Sequence, residues 1–126
     1  MEIKLNAKES EEYFYNAMCN GFGYMSGYGL ELEYDLEEYK TSRTNLGGTP
    51  CFEDVLMQML KDGYKITMVD VECEGEYTRT IGIEDVHNKV GQTPIEHLSD
   101  MINENDDATT ADVILQTVFF EEIIFG

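Results

Sequence analysis

The chain has 126 residues, with 26 Asp and Glu against 8 Lys and Arg, for a formal charge of −18. Such a field repels nucleic acid and anionic membranes and attracts cationic surfaces, so direct binding to a DNA or RNA backbone is not expected. An apolar content of 42%, with 8 Tyr and 6 Phe, suffices for one core and makes residues 1–126 a single domain.

The opening Met1–Leu5 alternates like a short strand. Asn6 then stands three residues before Glu9, the spacing of a capping box. A helix is expected from there to about Asn20, with Phe14, Ala17 and Met18 inward and Gly21 as its stop. The segment GFGYMSGYG, residues 21–29, holds four glycines and three aromatics. It has no lysine and no strand before it, so it reads as a tight connection with aromatic plugs and not as a phosphate loop. Leu30, Leu32 and Tyr34 alternate with Glu31, Glu33 and Asp35, a half-buried strand whose other face is wholly acidic. Asp35 caps a helix through Tyr39 to about Thr44, which ends at Asn45–Gly48.

Thr49–Pro50 is a helix-start signal, and Phe52, Val55, Leu56, Met59 and Leu60 then fall on one apolar face before Gly63. Lys65–Glu72 and Glu76–Ile83 read as two strands of a β-hairpin joined by Cys73–Gly75. Glu84–Val90 is a short helix. Thr93–Pro94 opens another over Ile95–Asn103, with Leu98, Met101 and Ile102 inward. Asp106–Asp107 and Thr109–Thr110 offer caps for a helix through about Val118, and Phe119–Gly126 reads as a closing strand. The expected fold is α+β: a small antiparallel sheet, including a central β-hairpin, packed with about four to five short helices.

No catalytic or metal motif accompanies this pattern, and neither enzyme activity nor a cofactor is expected. Residues 103–114, NENDDATTADVI, place oxygens at the first, third and fifth positions of a calcium loop. Ala108 replaces the required glycine, however, and Ile114 the bidentate glutamate. Cys19, Cys51, Cys73, His87 and His97 contain no pair at zinc-ligand spacing. Cys19 and Cys51 fall on apolar helical faces, where cysteine acts as a small hydrophobe. Cys51 also lies near a helix start that would lower its pKa, but no histidine is placed beside it by the sequence. The N-terminus turns polar after five residues, so no secretory signal is expected, and no apolar run is long enough to span a bilayer. The expected compartment is the cytoplasm.

Acid patterning is the remaining signal. Glu31, Glu33, Asp35, Glu37 and Glu38 form one run; Asp70, Glu72, Glu74 and Glu76 form a second, at the hairpin. A third, with Glu104, Asp106 and Asp107, lies in residues 90–126, which carry 8 acids and no base. On a strand, alternate residues project from one face roughly 6–7 Å apart. That approximates the spacing of alternate phosphates on one nucleic-acid strand, about 3.4 Å per step. These twelve carboxylates are the candidate partner-binding residues.

The segments YFYNAMCN at 13–20, SGYGLELEYD at 26–35 and DDATTADVILQTVFFEEIIFG at 106–126 resemble small proteins carried by phages and conjugative elements of Gram-positive bacteria. The resemblance implies an acidic counter-defence inhibitor of anti-CRISPR or antirestriction type, acting inside the bacterial host. Its implied partner is a basic nucleic-acid-handling protein, such as a Cas effector or restriction enzyme, occluded by the acidic face. Two alternatives stand beside it. One is a sponge for a defence signalling nucleotide, stacking it on the 21–29 segment. The other is an interaction domain without an inhibitory role, dimerising through the apolar tail VFFEEIIFG if that tail lies on a sheet edge.

Overall fold

The computed structural model describes residues 4–126, and its fold is α+β. Six helices surround one three-stranded antiparallel sheet. The core is built on two of them. Helix α1 spans Ala7–Gly27, and α6 spans Ala108–Phe120. They lie antiparallel, since Phe14 meets Phe119 with ring centroids 6.4 Å apart while Gly21 faces Ala111 and Leu115. From Thr110 to Phe120 every residue of α6 is buried, as expected of a helix enclosed on all sides.

Asn6 begins α1 with the expected capping box: its Oδ1 accepts the Glu9 N–H at 2.8 Å, and Glu9 Oε1 accepts the Asn6 N–H at 3.0 Å. The expected stop at Gly21 does not occur, and residues 21–27 are helical, not a tight connection. A Cβ on Gly21 would stand 2.8 Å from Leu115 Cδ1 and 3.1 Å from the Ala111 carbonyl carbon. Glycine is therefore what lets the two helices approach. Each helical glycine costs about 1 kcal/mol relative to alanine, and the packing of Phe14, Ala17, Met18 and Met25, all buried, overrides that local preference.

The sheet contains β1 (Leu30–Glu33), β2 (Ile66–Asp70) and β3 (Arg79–Ile81) in the order β1-β2-β3. Glu33 pairs with Thr67 and Thr67 with Thr80. Leu30, Ile66, Met68 and Ile81 are buried on the inner face. The hairpin is real, but its connection runs from Val71 to Thr78 and is not a tight turn at Cys73–Gly75. Lys4 and Leu5 carry no strand, and the rest of the expected first strand lies outside the described residues.

Helices α2 (Leu36–Leu46), α3 (Phe52–Lys61), α4 (Ile83–Lys89) and α5 (Ile95–Ile102) complete the fold, with a single 3₁₀ turn at Val90–Gln92. Both Thr-Pro starts slip, the first by two residues and the second by one: Cys51 is the N-cap of α3, and Pro94 is the N-cap of α5. As a cap, Cys51 is exposed instead of sitting on a buried face, and Cys19 is exposed as well. Ile102, expected inward, ends α5 at 38% exposure. No helix among the described residues is long and apolar enough to cross a membrane.

The closing strand is also overturned. Phe119 and Phe120 belong to α6, and Glu121 ends it in the left-handed conformation at φ 63°. The tail then folds back along its own helix. Gln116 Oε1 accepts the N–H groups of Ile124 and Phe125 at 2.8 and 2.9 Å, and its Nε2 donates to Phe125 O at 3.0 Å. One buried side-chain amide thus takes the place of a neighbouring strand. Phe125 stacks on Tyr28 at 4.9 Å and meets Tyr77 edge-on at 5.3 Å. With the tail held internally and off any sheet edge, the edge-dimer route expected from VFFEEIIFG is lost.

Candidate functional site

The first acidic run divides by role. Glu31 and Glu33 point outward from β1, are exposed, and make no hydrogen bond or ion pair among the described residues. Asp35, Glu37 and Glu38 instead have local work at the start of α2. Asp35 Oδ1 caps it by accepting the Glu38 N–H at 2.9 Å, and Glu37 and Glu38 complement the positive end of the helix dipole. Glu37 also approaches Lys40 at 3.7 Å, with both side chains largely exposed. Such pairs contribute little.

Asp70 is not a surface acid. It is 4% exposed, and its carboxylate accepts the N–H groups of Glu72, Cys73 and Tyr77 at 3.0, 2.8 and 3.1 Å. The Cys73 amide above all, with those of Tyr77 and Glu72 and against the cost of burial, holds this carboxyl below the usual carboxylate range. Asp70 organises the Val71–Thr78 connection, in which Glu74 adopts φ 56° and Gly75 φ 82°. Glu72, Glu74 and Glu76 are exposed on it. Desolvation, followed by the charges of Asp70, Glu76 and Glu72, pushes the Cys73 thiol upward.

The first and second runs meet. Val71 N–H donates to Gly29 O at 2.9 Å, and Glu72 lies across Gly29 so closely that a Cβ there would stand 2.4 Å from its Cδ. Gly29, at φ +80°, accepts that overlay because it has no side chain. Glu31 follows two residues on. Glu72 is thereby brought against the residue that leads into β1, and Glu74 and Glu76 follow it, exposed, on the adjoining connection.

The third run lies on a different connection. Glu104, Asp106 and Asp107 occupy the α5–α6 connection, and no hydrogen bond or ion pair among the described residues joins them to β1 or the hairpin. Asp107 is the N-cap of α6, accepting the Thr110 N–H at 2.9 Å. That bond first, then the Thr110 hydroxyl and neighbouring amides, keeps its carboxyl low against desolvation. Asp106 is half-buried and Glu104 exposed at φ 60°.

Other polar clusters are structural ties. Glu11 joins His87 at 2.7 Å and Lys61 at 3.5 Å, linking α1, α4 and α3. Lys89 bridges Asp85 at 3.1 Å and Glu121 at 2.7 Å. Tyr15 Oη donates to Asp54 Oδ1 at 2.6 Å and approaches Cys51 Sγ at 3.7 Å. Apart from Asp85 and Lys89, which stand four residues apart in α4, these pairings join separate elements and were not legible in sequence. A cavity of about 920 Å³ lies between α1 and α3. Its cations Lys8 and Lys61 stand among Glu11, Glu12 and Asp54, a poor setting for a phosphate. The nucleotide-stacking role expected of 21–29 also loses its premise, because residues 21–27 are helix and Tyr28 is packed against Phe125. Among the described residues no three His, Cys, Asp or Glu side chains are grouped to hold a metal ion.

No protein family, curated protein or solved structure matches this chain.

Proposed function

We propose that this chain is a binding protein that inhibits a host defence nuclease by docking its acidic sheet edge and hairpin on the enzyme's basic nucleic-acid-binding surface. The observation that carries the reading is that Glu31 and Glu33 on β1, and Glu72, Glu74 and Glu76 on the adjoining connection, are all exposed and without an ion-pair partner among the described residues. Unneutralised carboxylates on a short strand, roughly 6–7 Å apart at alternate positions, offer a basic groove a charge array resembling a phosphate backbone. The net charge of −18 adds long-range steering toward such a groove. The resemblance of three segments to proteins of phages and conjugative elements supplies the biological setting, the cytoplasm of a bacterial host.

Affinity capture from a bacterial lysate at low and high salt tests the reading. It predicts retention of a nuclease that competing DNA or RNA displaces and that salt releases, because screening shortens the reach of exposed charges. Replacement of Glu31, Glu33, Glu72, Glu74 and Glu76 by Gln should abolish that retention. Capture without any nucleic-acid-handling partner, or capture unchanged in the Gln variant, refutes it.

A further inference from the structure

Packing beneath β1 is incomplete. A cavity of about 370 Å³ opens there, walled by Phe22 and Met25 of α1, Leu30 and Leu32 of β1, Met68 of β2 and Phe52 of α3. Phe52 belongs to an aromatic group with Tyr34 and Tyr39, at centroid distances of 5.7 and 6.1 Å. A space this large and this apolar accommodates a bulky side chain.

β1 is an edge strand, and its ladder shows which backbone groups are free. The Val71 N–H to Gly29 O bond marks Gly29/Val71 as a hydrogen-bonded pair. Alternation makes Glu31/Val69 and Glu33/Thr67 hydrogen-bonded pairs too. The N–H and C=O of Leu30 and Leu32 therefore turn away from β2, and no hydrogen bond reaches them among the described residues. Leu30 is buried, whereas Leu32 is half-exposed, so the Leu32 pair stands at the accessible part of the edge. Glu31 borders the cavity and Glu33 follows it on the outer face.

We infer that β1 and this cavity form a receptor for an extended, basic segment of a partner protein, which adds as a strand beside β1 and inserts one large apolar side chain between α1 and α3. The inference rests on the proposed function for its basic partner, and it specifies how that partner is gripped. Strand geometry explains the required sequence. In an added strand, the residue that enters the cavity has its two neighbours on the opposite face. That face is the one carrying Glu31 and Glu33, so Arg or Lys on either side of the apolar residue meets carboxylates.

The test uses the full chain and two labelled peptides followed by fluorescence anisotropy: Gly-Arg-Val-Arg-Phe-Arg-Val-Arg-Gly, and the same peptide with Ser for Phe. Equal charge isolates the cavity from the general field. The Phe peptide should bind at least about tenfold more tightly, the scale of a buried anchor residue. N-methylation of its backbone at the Phe should weaken it by a similar factor. Ser26 is exposed on α1 and borders the cavity, so Ser26→Trp plugs it without changing charge. That variant should lose the Phe-peptide preference yet bind poly-arginine as before. Equal binding of the two peptides, or an undiminished preference in Ser26→Trp, overturns the inference. Peptide discrimination without nuclease capture would instead defeat the proposed function and leave the receptor standing.

Discussion

The α1–α6 helix pair and the β1–hairpin surface follow opposite rules. In the helix pair, buried contacts decide everything: Phe14, Ala17, Ile114, Leu115 and Val118 are all fully buried, and even a glycine is placed by its neighbour. At the sheet edge, local order hangs on single polar groups such as Asp70, while the outward carboxylates of Glu31 and Glu33 make no hydrogen bond or ion pair among the described residues. The difference teaches that stability and surface charge are separable here. A dense helical core carries the fold, which leaves a short strand free to display like charges that no partner among the described residues neutralises.

The largest effect should come from breaking the helix pair. Gly21→Val puts two branched methyl groups where a Cβ alone meets Leu115 and the Ala111 backbone. Overpacking of this kind costs about 3 kcal/mol, or more where backbone must move, and a urea titration should show it as a lower midpoint. Gly23 is the internal control, because nothing lies within 4 Å of its Cβ position. Gly23→Ala should raise the midpoint by about 0.5–1 kcal/mol through helix propensity. If both substitutions act alike, Gly21 is not a packing contact.

Next in size is the tail. Gln116→Ala removes four hydrogen bonds, three to the backbone of the tail and one to Asp112 Oδ1. Loss of partners for largely buried donors and acceptors costs about 1–3 kcal/mol. Hydrogen exchange should show loss of protection at Ile124 and Phe125 well before global unfolding. Unchanged protection there would mean that the aromatic contacts of Phe125 alone hold the tail.

These two elements also show what sequence could and could not reveal. Local signals were legible where local physics decides: the Asn6–Glu9 box, the Asp35 cap, the inward stripe of α3 and the alternation of β1. They failed where a distant residue decides. Gly21 is a helix stop by local preference and a helix crossing by virtue of Ala111 and Leu115. The apolar tail reads as a closing strand, yet Gln116 supplies the hydrogen bonds that a sheet would have given. In the candidate site, the outward direction of Glu31 and Glu33 followed from period-two alternation. The burial of Asp70 did not, because it depends on three amides presented by a turn whose shape the sequence does not spell out.

Asp70 is the hinge of the comparison, an acid inside the acidic region that behaves like a core residue. Asp70→Asn keeps its shape but removes the charge that draws in the amides of Glu72, Cys73 and Tyr77. Exchange at these three amides should quicken by about tenfold or more, with the helices unaffected. Its pH signature has a definite sign. The folded carboxyl titrates below its unfolded value, so its stabilisation is fully present above about pH 4. It is lost as pH falls through the lowered folded value. The Asn variant should lack that acid-side dependence, and an identical acid limb in both proteins would assign the dependence to other carboxylates.

The smallest stability effect should come from the residues proposed to carry binding. Glu31 and Glu33 are exposed and unpaired among the described residues, and like charges on one strand face repel. Glu31→Gln with Glu33→Gln should leave the urea midpoint within about 0.5 kcal/mol of the parent, on the stabilised side if on either. Salt should narrow even that gap, since it screens the repulsion being relieved. A stability loss of the size caused by Gln116→Ala would mean that these carboxylates serve the fold. A neutral outcome, coupled with weaker binding to a basic partner, would separate the two regions: one selected by packing, and the other by what it meets.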